Sequence, residues 1–220
     1  PGAVRPFLLA GLWDWLDAPT VVLVPRPRDA QQLCDQLQLW LGDDAPIYLY
    51  PELDALPYER LDSDPSTSHY RLKGLAALAS SADGLSQGLP PLIIASVQAA
   101  SQKTLSPEAF HLSLLTLSQG GRLPMQGVLQ TALWAGYRLE PGVEVPGVMS
   151  RRGGIIDLYS PNHELPIRVE FFGDVIESVR FFEPLSQRSL GAVDAATIIP
   201  AREILLPKDS KDRERVIDSL

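Results

Sequence analysis

The chain has 220 residues, of which 45% are hydrophobic and 21% charged, and its formal net charge at pH 7 is -8. This composition provides enough apolar material for a packed core and argues against a largely disordered chain. The negative charge argues against autonomous nucleic-acid binding, because non-specific affinity for phosphates comes mostly from Lys and Arg. No apolar run approaches the roughly 20 residues needed to cross a bilayer. The first residues also lack the pattern of a signal peptide.

Residues 1–108 alternate between helical and strand patterns. Apolar residues at helical spacing predict helices at 7–16, 29–41 and 66–80, and short apolar runs predict strands at 20–24, 46–50 and 92–96. Strands separated by helices indicate βαβ units and a parallel sheet. The Gly, Ser and Pro content of residues 83–91 predicts a surface loop. The single cysteine, Cys34, lies in an amphipathic pattern that predicts a buried thiol, and it fits a reducing, cytoplasmic compartment.

After Pro107 the pattern becomes that of a small, mostly antiparallel α+β domain. We predict strands at 110–117, 154–159, 167–172 and 175–182, a helix at 124–136, and a hairpin turn at Gly173-Asp174. Residues 195–199 predict another buried strand, and a further helix is expected to begin near Asp209. The predicted organisation is an α/β lobe at 1–108, an α+β insertion domain at 109–195, and a truncated return to the lobe at 196–220.

Motifs for catalysis and metal binding are absent from the sequence. The three histidines are far apart in sequence, and none has Cys or another His at metal-ligand spacing. The chain contains neither G-x-S-x-G nor the phosphate-binding loop G-x-x-x-x-G-K-[ST]. We therefore expect no catalytic residue and no metal ion.

Several stretches, in order along nearly the whole chain, resemble the N-terminal module of bacterial transcription-repair coupling factors (Mfd). That module is similar to the front of the excision-repair helicase UvrB. The strongest stretches are 152–158 (RGGIIDL) and 168–180 (RVEFFGDVIESVR), and the others are 56–60, 71–75, 94–97, 136–137, 186–190 and 199–203. The resemblance implies a degenerate helicase-like parallel-sheet lobe that is interrupted by a UvrA-binding insertion domain.

The resemblance also bears on nucleotide binding, because UvrB-type helicases carry T-G-S-G-K-T where this chain has residues 1–6 (PGAVRP). A phosphate-binding loop needs glycines, a lysine for the phosphates and a hydroxyl for Mg²⁺. Here Gly2 remains, but Val4 replaces the second glycine, Arg5 the lysine and Pro6 the hydroxyl-bearing residue. Proline also removes a backbone donor. We therefore expect a degenerate phosphate loop, no nucleotide cofactor and no ATP hydrolysis in this chain.

The family's UvrA contacts correspond to Arg152, Arg168 and Phe172. Strand alternation independently places Arg168, Glu170 and Phe172 on one face of a strand and the residues between them on the other. Arginines beside an aromatic side chain are typical of interface hot spots. The alternative is that Phe172 packs under the turn at 173–174 and Arg168 is only a surface charge.

These observations predict a docking module, not an enzyme, that recruits the UvrA ATPase to stalled transcription complexes. In the family, a translocase ATPase and regions that contact RNA polymerase and DNA follow C-terminally. A distant C-terminal domain is expected to cover the docking face in the resting full-length protein. The main alternative is a UvrB-type ATP-dependent helicase lobe that binds DNA, and a weaker one is an RNA-polymerase-binding module. Arg122, in the turn before the predicted helix, is proposed as a near-neutral mutational control.

Overall fold

The computed structural model describes residues 4–53, 65–82, 88–203 and 205. The chain divides into two compact units, Pro1–Lys103 and Thr104–Leu220. Three predicted features lie wholly or partly outside the described residues: the phosphate-loop position Gly2, part of the loop at 83–91, and the helix expected near Asp209. No described helix is both long and apolar enough to cross a membrane.

The first unit contains a three-stranded parallel sheet with the strand order β1-β3-β2. Its described helices are α1 (Val4–Leu16), α2 (Pro27–Leu41), α3 (Pro65–Ala82) and α4 (Val97–Ser101), and its strands are β1 (Thr20–Val24), β2 (Ile47–Tyr50) and β3 (Leu92–Ser96). Each of the six elements predicted before residue 97 is present, with its ends shifted by at most three residues. The predicted parallel βαβ arrangement is therefore confirmed.

Strand β3 is buried on both faces, which explains its continuous apolar run. Leu92 and Ile94 pack in a cluster with residues of α1 and α2, whereas Ile93 and Ala95 pack on the side of α3. Cys34 of α2 is buried in the first of these clusters, as predicted. Burial raises the pKa of the Cys34 thiol to about 12, because the thiolate would lose its hydration.

The second unit combines a six-stranded sheet, a two-stranded ribbon and two described helices. Its helices are α5 (Pro107–Leu112) and α6 (Met125–Trp134), and its strands are β4 (Leu115–Ser118), β5 (Arg138–Leu139), β6 (Val148–Arg152), β7 (Ile155–Leu158), β8 (Ile167–Phe172), β9 (Val175–Phe182), β10 (Ser189–Ala192) and β11 (Ala195–Ile198). The large sheet has the order β10-β9-β8-β7-β6-β5 and is antiparallel apart from the β5–β6 pair. The mixed α/β class is therefore confirmed, with both parallel and antiparallel sheets.

One face of the large sheet is buried under α6. Val128 and Ala132 of the helix belong to the same buried cluster as Ile156 and Val169 of the sheet. Tyr137, which follows the helix, is also buried, and its hydroxyl donates a hydrogen bond of 2.7 Å to the carbonyl of Ile199. Burial raises the pKa of Tyr137 well above its usual range. Helix α6 leaves the opposite face of the sheet uncovered.

The predicted strand at 110–117 is only partly correct, because its first half belongs to helix α5 (Pro107–Leu112). Ser106 caps this helix: its side chain accepts a hydrogen bond from the Ala109 N–H, and Pro107 occupies the first turn. A serine cap followed by proline favours a helix start, and here it overrides the apolar run that follows. Strands β6 and β10 were not predicted.

The strand at 195–199 is present, but it pairs within the second unit, whereas residues 196–220 were expected to return to the first lobe. β11 pairs antiparallel with β4, from Ala195 opposite Ser118 to Ile198 opposite Leu115. This pairing buries Ala196 and Ile198 in the core of the second unit, which explains why the strand joins that unit and not the first sheet. The return of 206–220 to the first lobe lies outside the described residues and stays a prediction.

Candidate protein-docking site

The face of the large sheet that α6 leaves uncovered carries all three predicted site residues. Along β8, burial alternates as predicted, and Arg168, Glu170 and Phe172 occupy the more exposed face. Directly paired residues of antiparallel strands lie on the same face. Arg152 pairs with Ile155, which in turn pairs with Glu170, so Arg152 belongs to this face as well. We call this surface the outer face.

Arg168 is held in a fixed orientation by side chains of the same chain. Its Nε donates to Asp157 Oδ1 at 2.7 Å, and its Nη2 donates to Asp157 Oδ2 at 2.8 Å and to Gln187 Oε1 at 2.9 Å. The guanidinium also lies over the ring of Phe182, 4.6 Å from the centroid. The hydrogen bond to Asp157 is the main cause that raises the pKa of Arg168. Arg168 is thus a rigid, permanently charged group, whereas the sequence alone allowed a loosely solvated charge.

A second polar cluster lies beside it on the outer face. Glu170 Oε2 accepts hydrogen bonds from Ser178 Oγ at 2.7 Å and from Arg180 Nη2 at 2.5 Å. Arg180 pairs directly across from Arg168 in the β8–β9 ladder, and Ser178 from Glu170. The like charges of Arg168 and Arg180 are each neutralised by a carboxylate, Asp157 for one and Glu170 for the other. The centre of the outer face is therefore an ordered polar surface and not a row of repelling cations.

Phe172 stands at the end of β8, next to the hairpin turn, with 79% of its surface exposed. The turn begins at Gly173, whose φ of 62° lies in the left-handed region that glycine adopts without strain. This exposure contradicts the alternative in which Phe172 packs under the turn. The ring of Phe172 is therefore not part of the core and is accessible to a partner.

Arg152 ends β6 and is exposed; its Nη2 donates to the carbonyl of Pro141 at 3.1 Å. The glycines that follow it serve the internal packing of the sheet. A Cβ on Gly154 would lie only 3.0 Å from the carbonyl oxygen of Phe171, and Gly153 has a φ of 57°. The close approach that Gly154 permits is therefore that of β8.

Asp157 and Gln187 hold Arg168 in the candidate site, although neither was predicted from the sequence. Asp157 lies within the RGGIIDL stretch, directly opposite Arg168 in the β7–β8 ladder. Gln187 lies in the turn between β9 and β10. An acidic residue facing an arginine on a neighbouring strand is a usable signal, but only when the register of the two strands is known.

The structure also bears on two further expectations from the sequence, one for Arg122 as a control and one for the phosphate-loop segment. Arg122 forms an isolated bridge with Val175, the residue paired with Phe172, so it lies beside the candidate site and is a poor control. Val4 to Pro6, the described residues of the segment expected to be a degenerate phosphate loop, belong to helix α1. Among the described residues, no group of three or more His, Cys, Asp or Glu could hold a metal ion.

Comparisons with known proteins identify the region that carries this face. A family profile described as the UvrB interaction domain matches residues 115–204. The chain is 33% identical over 217 residues to the transcription-repair-coupling factor of Myxococcus xanthus. The matched region covers 96% of this chain and 18% of that protein. It is 34% identical over 199 residues to the transcription-repair-coupling factor of Mycobacterium bovis, and here the matched region covers 89% of this chain and 16% of that protein.

A second group of relatives is more distant. The UvrABC system protein B of Chlorobaculum tepidum is 27% identical over 216 residues, covering 93% of this chain and 31% of that protein. The chain therefore spans less than a fifth of the length of the two coupling factors named above and less than a third of this UvrB protein. Over most of its length this chain is homologous to the transcription-repair-coupling factors, and its residues 115–204 match the UvrB interaction domain.

Proposed function

We propose that the outer face of the second unit docks UvrA, and that the chain thereby recruits this ATPase to stalled transcription complexes in nucleotide excision repair. The observation that carries the proposal is the 79% exposure of Phe172 beside oriented arginines, within a UvrB interaction domain. A rigid aromatic ring and a pre-oriented guanidinium both lose little conformational entropy on binding. These properties are those of interface hot spots.

The charges of the face define the chemistry of the partner. Arg152 and Arg168 lie on the same face as Phe172, on strands β6 and β8. Strands two apart in a sheet are separated by roughly 10 Å. A complementary surface would place acceptor oxygens around an apolar recess that receives the phenyl ring. We therefore expect salt to weaken the complex without abolishing it, because the apolar contact is not screened.

Binding measurements with purified UvrA test this proposal. We expect Arg152→Ala, Arg168→Ala and Phe172→Ala each to weaken binding tenfold or more. Arg28→Ala, at an exposed arginine of α2 in the first unit, replaces Arg122→Ala as the control. Wild-type affinity in all three variants, each shown to be folded, would refute the assignment of this face.

For the first unit we propose a degenerate helicase-like lobe without ATP hydrolysis or nucleotide cofactor. Its parallel sheet and the replacement of the phosphate-loop lysine and hydroxyl by Arg5 and Pro6 support this proposal. Arg5→Lys alone should create no activity, since Val4 and Pro6 remain. The alternative, a UvrB-type ATP-dependent lobe that binds DNA, draws support from the relative in Chlorobaculum tepidum. Saturable micromolar ATP binding with Mg²⁺, or ATP turnover by the unmodified chain, would favour that alternative.

We propose that the remaining partners act through regions of the full-length protein outside this chain. These partners are RNA polymerase, DNA and a C-terminal domain of the same protein that covers the docking face at rest. A translocase ATPase in those regions and a cytoplasmic location belong to the same proposal. A comparison of UvrA affinity between this chain and the full-length protein tests the covering domain, because the full-length protein should bind more weakly.

A further inference from the structure

The hydrogen bonds of Arg168 leave one specific edge of its guanidinium for a partner. A guanidinium carries five N–H donors. Nε and Nη2 engage Asp157 side-on, and the second N–H of Nη2 is directed to Gln187 Oε1 at 2.9 Å. Among the described residues, no hydrogen bond from Nη1 of Arg168 is found. The two N–H donors of Nη1 are therefore the ones that remain for a partner.

Gln187 occupies a backbone conformation that is uncommon for its residue type. Its φ is 59°, in the left-handed region that glycine adopts freely and most side chains disfavour. The turn holds it there through a hydrogen bond of 2.8 Å from its backbone N–H to the carbonyl of Glu183. Its side chain is fixed at both ends, because Nε2 donates to the carbonyl of Pro184 at 2.7 Å while Oε1 accepts from Arg168. A non-glycine residue in such a position indicates that its side chain has a role.

We propose that Gln187 is a positioning residue of the docking site that sets which acceptor Arg168 can receive. This inference rests on the proposed function of the outer face in docking UvrA. A carboxylate that approaches a guanidinium end-on needs Nη1 and Nη2 together. Gln187 already fills the position at Nη2, so a partner carboxylate cannot pair end-on, and a carboxylate or carbonyl oxygen of the partner binds Arg168 through Nη1 alone. Gln187 thus excludes bidentate end-on pairing of Arg168 with a carboxylate, and it fixes the direction in which the N–H groups of Nη1 point.

Gln187→Gly in the full 220-residue chain separates this role from a structural one. Glycine adopts the left-handed backbone without strain, which offsets the larger entropy of the unfolded chain and the lost side-chain hydrogen bonds, so thermal stability should change little. Loss of the Gln187 amide removes the acceptor at Arg168 Nη2, and the guanidinium is then less firmly oriented. Affinity for purified UvrA should therefore fall about three- to tenfold. In an Arg168→Ala background, the same substitution should have no additional effect on binding.

Asp17→Gly is the matched control, because Asp17 is the other described non-glycine residue with positive φ, at 44°, and it lies in the first unit. We expect it to leave UvrA affinity unchanged. If Gln187→Gly binds UvrA as tightly as the wild type while Arg168→Ala and Phe172→Ala bind weakly, the role of Gln187 is refuted and the docking function stands. If the wild-type chain fails to bind UvrA, or if Arg152→Ala, Arg168→Ala and Phe172→Ala all bind normally, the docking function itself fails.

Discussion

The exposure of Phe172 allows its contribution to binding to be separated from its contribution to folding. Complete burial of a Phe side chain stabilises a protein or complex by about 1.5–3 kcal/mol. Since 79% of Phe172 is exposed in this chain, most of that free energy remains available to a partner. We therefore expect Phe172→Ala to weaken UvrA binding by about 1.5 kcal/mol or more, which corresponds to tenfold or more in Kd. The free energy of unfolding should change by about 0.5 kcal/mol or less.

Isothermal titration calorimetry with UvrA and urea unfolding of the free chain measure the two quantities. The matched control is Leu112→Ala on α5, since Leu112 is 81% exposed and belongs to the same unit. The control should change neither quantity. The reasoning is refuted if Phe172→Ala binds like the wild type, or if it lowers stability by about 2 kcal/mol or more, because the second result would place Phe172 in the core.

Three other predictions follow from the same structure. Asp157→Ala should lower the free energy of unfolding by about 2 kcal/mol, because it leaves Arg168 without its carboxylate, and urea unfolding measures this. The Cys34 thiol, whose pKa burial raises to about 12, stabilises the fold fully below the unfolded pKa of about 8.5, and this stabilisation is lost as pH rises toward 12. Between pH 8.5 and 10 the free energy of unfolding of the wild type should therefore fall by about 1.5 kcal/mol more than that of Cys34→Ala. Residues 104–205 expressed alone should melt cooperatively, whereas 109–195 lacks most of β11 and should melt about 10 °C lower or more. Equal melting temperatures would show that β11 is dispensable.

The sequence alone predicted the elements whose signals are local. The buried strand at 92–96, the parallel βαβ order and the hairpin at Gly173 all follow from short apolar runs, helical spacing and turn chemistry. The exposed face of β8 also followed, because alternation along a strand has a strict period of two. The outward position of Arg168 and Phe172 needed no knowledge of neighbouring strands.

The pairing of β4 with β11 shows where prediction from local sequence fails. Residues 195–199 have the composition of a buried strand in either unit, and nothing in their own sequence selects a partner. The antiparallel pairing with β4 depends on an available edge and on the core that Ala196 and Ile198 complete. Strand partners far apart in sequence are selected by the packing of the whole sheet, so a propensity or pattern of five residues does not specify them.

The residues of the candidate site also differ in whether the sequence alone could identify them. Arg152, Arg168 and Phe172 could be identified from sequence motifs and strand alternation. The roles of Asp157 and Gln187 depended on the β7–β8 register and on the turn that returns the chain toward β8. A shift of one residue in that register would turn Asp157 toward the other face and leave Arg168 without its partner. The sequence by itself therefore determined which residues face outward, and only the tertiary structure decided how the guanidinium of Arg168 is held and which of its donors a partner can reach.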